Sequence, residues 1–349
     1  MAPQEDSYPG VSYVMPVLNE VDYVAGAVAA ILSQEYPGPQ QLILALGPST
    51  DGTNALVERL AREDPRVTFV HNPQTHIPVG LNLAVHASAH PIIVRVDAHS
   101  ELAPGYTLRA VQTLQRTGAA NVGGLMKGSG RTPFQTSVAR AYNSKFGLGG
   151  GAYHSGGAEG PAESAYLGVF RREVLLAVGL YDESLRRGED WELNLRIRAA
   201  GHLVWFDPAL MVTYWPRENW RKLARQFFTT GVWRGELVRR YRAKNPWRFF
   251  APPLLVLAVV IAVVVLVLQV TGVLSGALSV VASLVYLALL AYLLLLVWVS
   301  FVKEPGKTLR DRLIFMVVLP TMHLSWGAGF IRGILRGGQD TMDTSRSVG

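Results

Sequence analysis

Pro91-Ile-Ile-Val-Arg-Val-Asp-Ala-His99 decides how the first half of the chain is read. Its apolar run is short, continuous and β-branched, the signature of a strand buried on both faces, and it ends on an aspartate. Towards the N-terminus, Val11-Ser-Tyr-Val-Met-Pro16, Leu42-Ile-Leu-Ala-Leu46 and Val67-Thr-Phe-Val70 have the same character. Helical patterns at Glu20–Gln34, Asp51–Arg62 and Val79–Ala89 separate them. This alternation predicts an α/β fold, a Rossmann-like, mostly parallel sheet with helices on both faces. In open sheets of this kind ligands bind beyond the carboxyl ends of the strands. Asn19, Ser49 and Asp97 all fall at or just past such ends.

Further along, Gly123–Gly160 is rich in glycine, which predicts flexible loops over the site. Glu189–Ala200 reads as a helix, and so does Asn219–Tyr241, which sets Trp220, Leu223, Phe227, Phe228, Trp233 and Leu237 among arginines. Such a helix suits a membrane interface, aromatic face in the lipid boundary; a core helix with a basic solvent face is the competing reading. From Ala251 to Phe301 there is no charged side chain, a run longer than the roughly 20 apolar residues that cross a bilayer once. Two spans are expected, at about 252–271 and 277–301. A third apolar stretch, about 313–335, is long enough to span but holds Pro320 and His323, so a span and a re-entrant segment both stay open. The expected layout is a globular domain over 1–215, a basic amphipathic interface region over 216–248, and a transmembrane region with a short tail over 249–349.

Composition agrees with that layout. Of 349 residues 49% are hydrophobic, and there is no cysteine, which excludes disulfides and thiolate chemistry. The net charge is +7 with a pI of about 9.7, and the basic residues concentrate at Arg217–Arg248 and at Lys303–Arg312, flanking the apolar run. By the positive-inside rule both clusters mark the cytoplasmic side, so the charge is read as facing a membrane, with no nucleic acid as partner. Met1–Gly10 has neither a basic n-region nor an apolar core, which predicts no signal peptide and a cytoplasmic first domain. Arginine exceeds lysine, and alanine, valine and leucine dominate, as in GC-rich bacteria. No phosphate-binding Walker loop, nucleophile elbow or paired-histidine zinc motif occurs.

Asp97-Ala98-His99 carries the chemistry. At a strand end, residues two apart project to one face, here a carboxylate and an imidazole. Such a pair suits a divalent cation that neutralises a departing diphosphate, Mn²⁺ or Mg²⁺, with the imidazole favouring manganese. Four more stretches accompany it in order: Val14-Met-Pro-Val-Leu-Asn-Glu20, Pro48-Ser-Thr-Asp-Gly-Thr53, Tyr166-Leu-Gly-Val-Phe-Arg171 and Gly188-Glu-Asp-Trp191. The set resembles the family-2 glycosyltransferases of the GT-A fold, in their membrane-anchored succinoglycan-biosynthesis form, over essentially the whole chain.

The resemblance implies an inverting transferase. It would move one sugar from a nucleotide-sugar to a polyprenyl diphosphate-linked saccharide at the cytoplasmic membrane face. Pro16, Asn19, Glu20 and Asp51 would line or support the nucleoside pocket. Asp97 and His99 would hold the metal, with His154 as a candidate third ligand. Asp190 would be the general base, with Glu189 beside it, and Arg95, on the same strand face as Asp97, is expected at the nucleotide or acceptor. Trp191, Gln226, Trp233 and Arg234 are expected to face acceptor or membrane. Leu46-Gly47-Pro48 replaces the acidic pair that family members commonly carry before the Ser49 position, so a UDP-sugar is the default and no more. The Gln-x-x-Arg-Trp pattern of processive synthases is missing after Gln226, which argues for single-sugar addition. Two other readings stay open: a polyprenyl-phosphate monosaccharide synthase, and a non-catalytic membrane scaffold.

Overall fold

The computed structural model describes residues 8–148, 152–241, 247–304, 306 and 308–338. The chain divides at Gly128/Ser129, Gly150/Gly151 and Trp215/Pro216 into two compact units.

The first unit is the α/β domain. It opens with β1 (Val11–Val17), α1 (Val24–Leu32), β2 (Gln40–Leu46), α2 (Thr53–Glu63), β3 (Val67–His71), α3 (Ile77–Ala87) and β4 (Ile92–Arg95). A short β5 (Ser100–Leu102), α4 (Tyr106–Thr117) and β6 (Asn121–Gly128) follow. The sheet order is β3-β2-β1-β4 and then the later strands, and the first four run parallel, with Val11 opposite Gln40 and Ile92. Met15 and Leu44 face one apolar layer, and Val14 and Ile43 face the other. That two-sided burial is why the strands read as unbroken apolar runs.

The second unit takes α5 (Pro133–Tyr142) and α6 (Lys145–Leu148) before the chain returns to the first. There α7 (Ala152–Ser155), β7 (Gly160–Pro161), β8 (Tyr166–Arg171), α8 (Arg172–Ala177), α9 (Glu189–Ala199) and β9 (Val204–Tyr214) complete the sheet. β8 pairs antiparallel with β4 and β6, while β9 is parallel to β6. The glycine-rich segment, expected as loops, is loop only in part: among the described residues Gly156 and Gly157 lie between elements, while Gly147 lies in α6. Gly123 and Gly124 lie inside β6, where a Cβ would run into Ala165 and the Leu210 carbonyl. These glycines allow close approach of strands, the second reason for a glycine in a strand besides a turn. Gly149, Gly150 and Gly151 lie outside the described residues.

The second unit continues with α10 (Trp220–Arg240), α11 (Ala251–Val270), α12 (Gly276–Ala282), α13 (Val285–Trp298) and α14 (Leu309–Arg336). Arg248–Val270, Gly276–Lys303 and Leu309–Arg336 are long and apolar enough to cross a membrane. Residues 276–303 are interrupted at Ser283–Leu284, between α12 and α13, and end in a π-helical turn at Val299–Lys303. α10 lies along α14 through facing small residues. A Cβ on Gly231 or Gly235 would strike the Trp326 or Phe330 carbonyl, and one on Gly329 or Gly333 the Phe228 or Val232 carbonyl. Backbones meet this closely only where side chains are absent, as in small-xxx-small helix pairs. Leu223, Phe227, Trp233 and Leu237 are buried as a result. Most of the apolar stripe of α10 thus faces protein, a correction to the expectation that it faces lipid; Phe228 is half-buried and Trp220 stays exposed.

Candidate active site

The site is assembled at the carboxyl ends of β1, β2 and β4. Past β1, Asn19 adopts φ 54°, a left-handed conformation that asparagine tolerates. Its amide donates to Ser49 Oγ (3.0 Å), and its Oδ1 accepts from the Thr50 amide (2.8 Å). Asp51 accepts from the Val21 amide (3.1 Å) and from the Thr53 amide and hydroxyl (3.0 and 2.5 Å). Slight burial pushes the Asp51 carboxyl up, but those hydrogen bonds outweigh it and hold it below its ordinary range. Asn19 and Asp51 therefore staple the loops after β1 and β2 together, and Thr53 Oγ1 adds an acceptor for the Glu20 amide (2.9 Å). Pro16, within β1, pairs in register with Ala45.

After β4 the strand ladder continues for one more bond, Val96 N–H to the Val14 carbonyl (3.0 Å), and then turns. Ser100 closes the turn: its hydroxyl accepts from the Asp97 amide (3.2 Å) and donates to the Asp97 carbonyl (2.8 Å). Asp97 and His99 are thereby fixed on one tight turn, with side chains about one-fifth exposed (20% and 18%). His99 Nδ1 lies 3.2 Å from Glu20 Oε1. A carboxylate there favours the tautomer with hydrogen on Nδ1 and a free lone pair on Nε2, the arrangement usual behind a metal-binding imidazole.

The third component comes from α9. Gly188 precedes it at φ 79°, in the left-handed region, and Glu189 and Asp190 occupy its first turn. Carboxylates are favoured at that end by the helix dipole. Asn82 on α3 brackets the approach: its Nδ2 donates to the Tyr181 carbonyl (2.9 Å), and its Oδ1 accepts from the Tyr181 amide (3.0 Å). Further back, Arg196 donates to the Leu180 carbonyl (2.6 Å).

Arg95 connects these parts. Its guanidinium is buried and ion-paired with Asp190 through Nη1; Nη2 lies 3.0 Å from Glu189 Oε1 and 3.6 Å from Asp97 Oδ1. The Tyr181 ring lies beside it, 5.9 Å from Cζ to centroid, and also walls a cavity of about 590 Å³ shared with Asn82, His86 and Glu183. Burial pushes the Asp190 carboxyl up to about 7; the Arg95 guanidinium opposes this, and the Glu189 and Asp97 carboxylates add to it.

The structure thus brings together Asp97, His99, Glu20, Arg95, Glu189 and Asp190, and sets Asn19 and Asp51 behind them as loop staples. The Glu20–His99 pairing and the Tyr181 and Asn82 contacts have no mark in the sequence beyond Leu180-Tyr-Asp-Glu183 standing shortly before Gly188-Glu-Asp. His154 stacks on Tyr153 (4.2 Å between ring centroids), and burial lowers its pKa to about 3. Among the described residues no three His, Asp or Glu side chains converge on a metal position. Trp191 and Trp233, expected towards acceptor or membrane, are both buried. In the second unit Gln226 accepts from the Tyr142 hydroxyl (3.1 Å), and the Arg234 guanidinium lies 4.3 Å from the Phe249 ring centroid.

A carboxylate and an imidazole on one turn, both partly open to solvent, are a donor pair that suits a divalent cation.

Comparison with known proteins places this arrangement. Residues 12–179 match the pattern of glycosyl transferase family 2. The chain is 33% identical, over 324 residues, to the succinoglycan biosynthesis protein ExoA of Rhizobium meliloti (strain 1021), spanning 92% of this chain and 94% of that one. It belongs to glycosyl transferase family 2. A Methanococcus voltae protein is 20% identical across 94% of this chain and 98% of its own length. That relative is a dolichyl N-acetyl-alpha-D-glucosaminyl phosphate 3-beta-D-2,3-diacetamido-2,3-dideoxy-beta-D-glucuronosyltransferase. Among solved structures, the mannosyltransferase PcManGT of Pyrobaculum calidifontis, in complex with GDP-Man and Mn²⁺, superposes with a TM-score of 0.60 at 18% identity. It covers 94% of this chain and 88% of that one, and establishes the GT-A fold.

Proposed function

We propose that this glycosyltransferase moves one sugar, with inversion, from a nucleotide-sugar to a lipid-linked saccharide at the cytoplasmic membrane face of a bacterium, for a surface polysaccharide. The observation that carries the reading is the joining of two groups by Arg95: the Asp97–His99 turn and the Asp190 carboxylate at the start of α9. Donor and acceptor chemistry need opposite ends of one such site.

In the reaction, Asp190 takes the proton from the acceptor hydroxyl. The acceptor oxygen then bonds to the anomeric carbon as the bond from that carbon to the diphosphate oxygen breaks, and the nucleoside diphosphate leaves. Asp97 and His99 would hold a divalent cation, Mn²⁺ or Mg²⁺, which when bound offsets charge on the departing diphosphate. Glu20 orients His99, and the loops stapled by Asn19 and Asp51 support the nucleoside, a uridine by default. A carboxyl near 7 suits base catalysis, because a large share of it is ionised at neutral pH and that share is still basic.

The lipid acceptor is supported by the three helices long and apolar enough to cross a membrane and by the basic residues that flank them. The name of the Methanococcus relative, which acts on a dolichyl-phosphate sugar, supports a lipid-linked saccharide in preference to the bare lipid phosphate. Asp190→Asn tests the assignment: donor binding is retained while transfer falls by about 10²- to 10⁴-fold. Retained transfer removes Asp190 from the base role.

A further inference from the structure

Arg95 has a role that its burial alone does not explain. Its three carboxylate neighbours are not equivalent. Glu189 and Asp190 lie within hydrogen-bonding distance, while Asp97 at 3.6 Å is held by charge and not by a hydrogen bond. One guanidinium faces three carboxylates that are 20%, 10% and 26% exposed. When all three are ionised the cluster has two negative charges in excess, the complement of one divalent cation. Asp97 is the member least tied to Arg95, and it lies on the turn that also carries His99.

We propose that Arg95 is a positioning residue that couples cation loading at Asp97 to the placement of Asp190. This rests on the reading of Asp190 as the base and of Asp97 as a metal-holding carboxylate. Without the cation, the forked guanidinium divides its charge between the turn after β4 and the first turn of α9. With a cation held at Asp97 and His99, the Arg95 guanidinium would be left to Glu189 and Asp190 and would fix the base. Arginine is required because a fork reaches several carboxylates at once; an ammonium is a point charge. The arrangement carries a cost that a purely structural ion pair would not. Arg95 partly cancels the negative charge that attracts the cation, so the unmodified residue weakens metal binding.

The test measures Mn²⁺ affinity of the full-length purified protein, by the electron-paramagnetic signal of free Mn²⁺, beside transfer of radiolabel from nucleotide-sugar to a membrane lipid extract. Arg95→Met should bind Mn²⁺ more tightly, by about fivefold or more, while transfer falls at least about 100-fold. A residue that only anchors α9 would lose both together or leave Mn²⁺ affinity unchanged, and either result overturns the proposal. Loss of a buried cation can unfold the protein, so Arg95→Lys is measured beside it with a melting curve. That variant should keep its melting temperature and its Mn²⁺ affinity within about twofold while transfer falls about tenfold. Transfer by Arg95→Lys equal to wild type overturns the proposal. Asp190→Asn in the same assays separates the two ideas: retained transfer there defeats the base reading, whereas Mn²⁺ tightening in Arg95→Met still reports on Arg95 and Asp97.

Discussion

Glu20 Oε1 lies 3.2 Å from His99 Nδ1, so the residue that ends the first strand's motif holds the imidazole that ends the fourth. β1 and β4 are neighbours in the sheet, which makes the contact possible across 79 residues of sequence. Carboxylates behind metal-binding histidines fix the ring and raise its basicity. Glu20→Gln should therefore weaken Mn²⁺ binding by about tenfold or more, read by calorimetry on the purified protein. Unchanged affinity would separate Glu20 from the metal.

The raised Asp190 carboxyl sets a pH dependence. The base acts ionised, so kcat should fall as pH drops through about 7, with a slope of one proton. Glu189→Gln removes one carboxylate that pushes Asp190 up, and the midpoint should move to lower pH. A midpoint unmoved by that change would leave Glu189 without influence on the base.

The same shift has a stability counterpart with a definite sign. A carboxyl whose pKa is raised on folding disfavours the folded state when ionised, and the penalty disappears as pH falls below the folded pKa. Asp190→Asn should therefore melt higher than wild type at pH 8, and the two curves should converge as pH falls from about 7 towards the ordinary aspartate range. Melting curves at several pH values decide it; a constant offset would mean that Asp190 is not strained by its surroundings.

Asn82 holds the backbone of Tyr181 from both sides, through its Nδ2 and its Oδ1. Asn82→Ala leaves two buried backbone groups without partners, at about 1–3 kcal/mol each. Because Tyr181 leads into Gly188-Glu-Asp190, kcat should fall while donor affinity is kept. A drop in donor affinity with unchanged kcat would place Asn82 on the donor side.

In the second unit, Gly333→Leu should break the crossing of α10 and α14. A side chain there meets the Val232 carbonyl, and overpacking of such contacts costs about 1–3 kcal/mol or more. A detergent-solubilised variant melting as wild type would show that the two helices part without loss.

The parallel strands, their helices and the strand-end residues were legible because local pattern determines them: apolar runs, breaks, and polar groups where the runs stop. Features that depend on distant residues were not. Gly123 and Gly124 read as loop, yet they serve the approach of Leu210 and Ala165, which only the sheet order brings near. Trp233 read as membrane-facing, because nothing in 220–240 announces that Gly231 and Gly235 meet the backbone of Trp326 and Phe330 nearly a hundred residues later. Arg95 shares a strand face with Asp97 by spacing alone, but its nearer partners, Glu189 and Asp190, are 94 and 95 residues away. Periodicity locates elements; it does not say which charges will share a buried cation.

The most direct measurement gives the protein, purified in lipid, a panel of radiolabelled nucleotide-sugars with Mn²⁺, with and without a membrane lipid extract. Label from one donor is expected to enter a lipid-linked saccharide, one sugar per acceptor, and to be lost in both Asp97→Ala and Asp190→Asn. Absence of transfer from every donor, or transfer that persists in Asp97→Ala and Asp190→Asn, would contradict the proposed function.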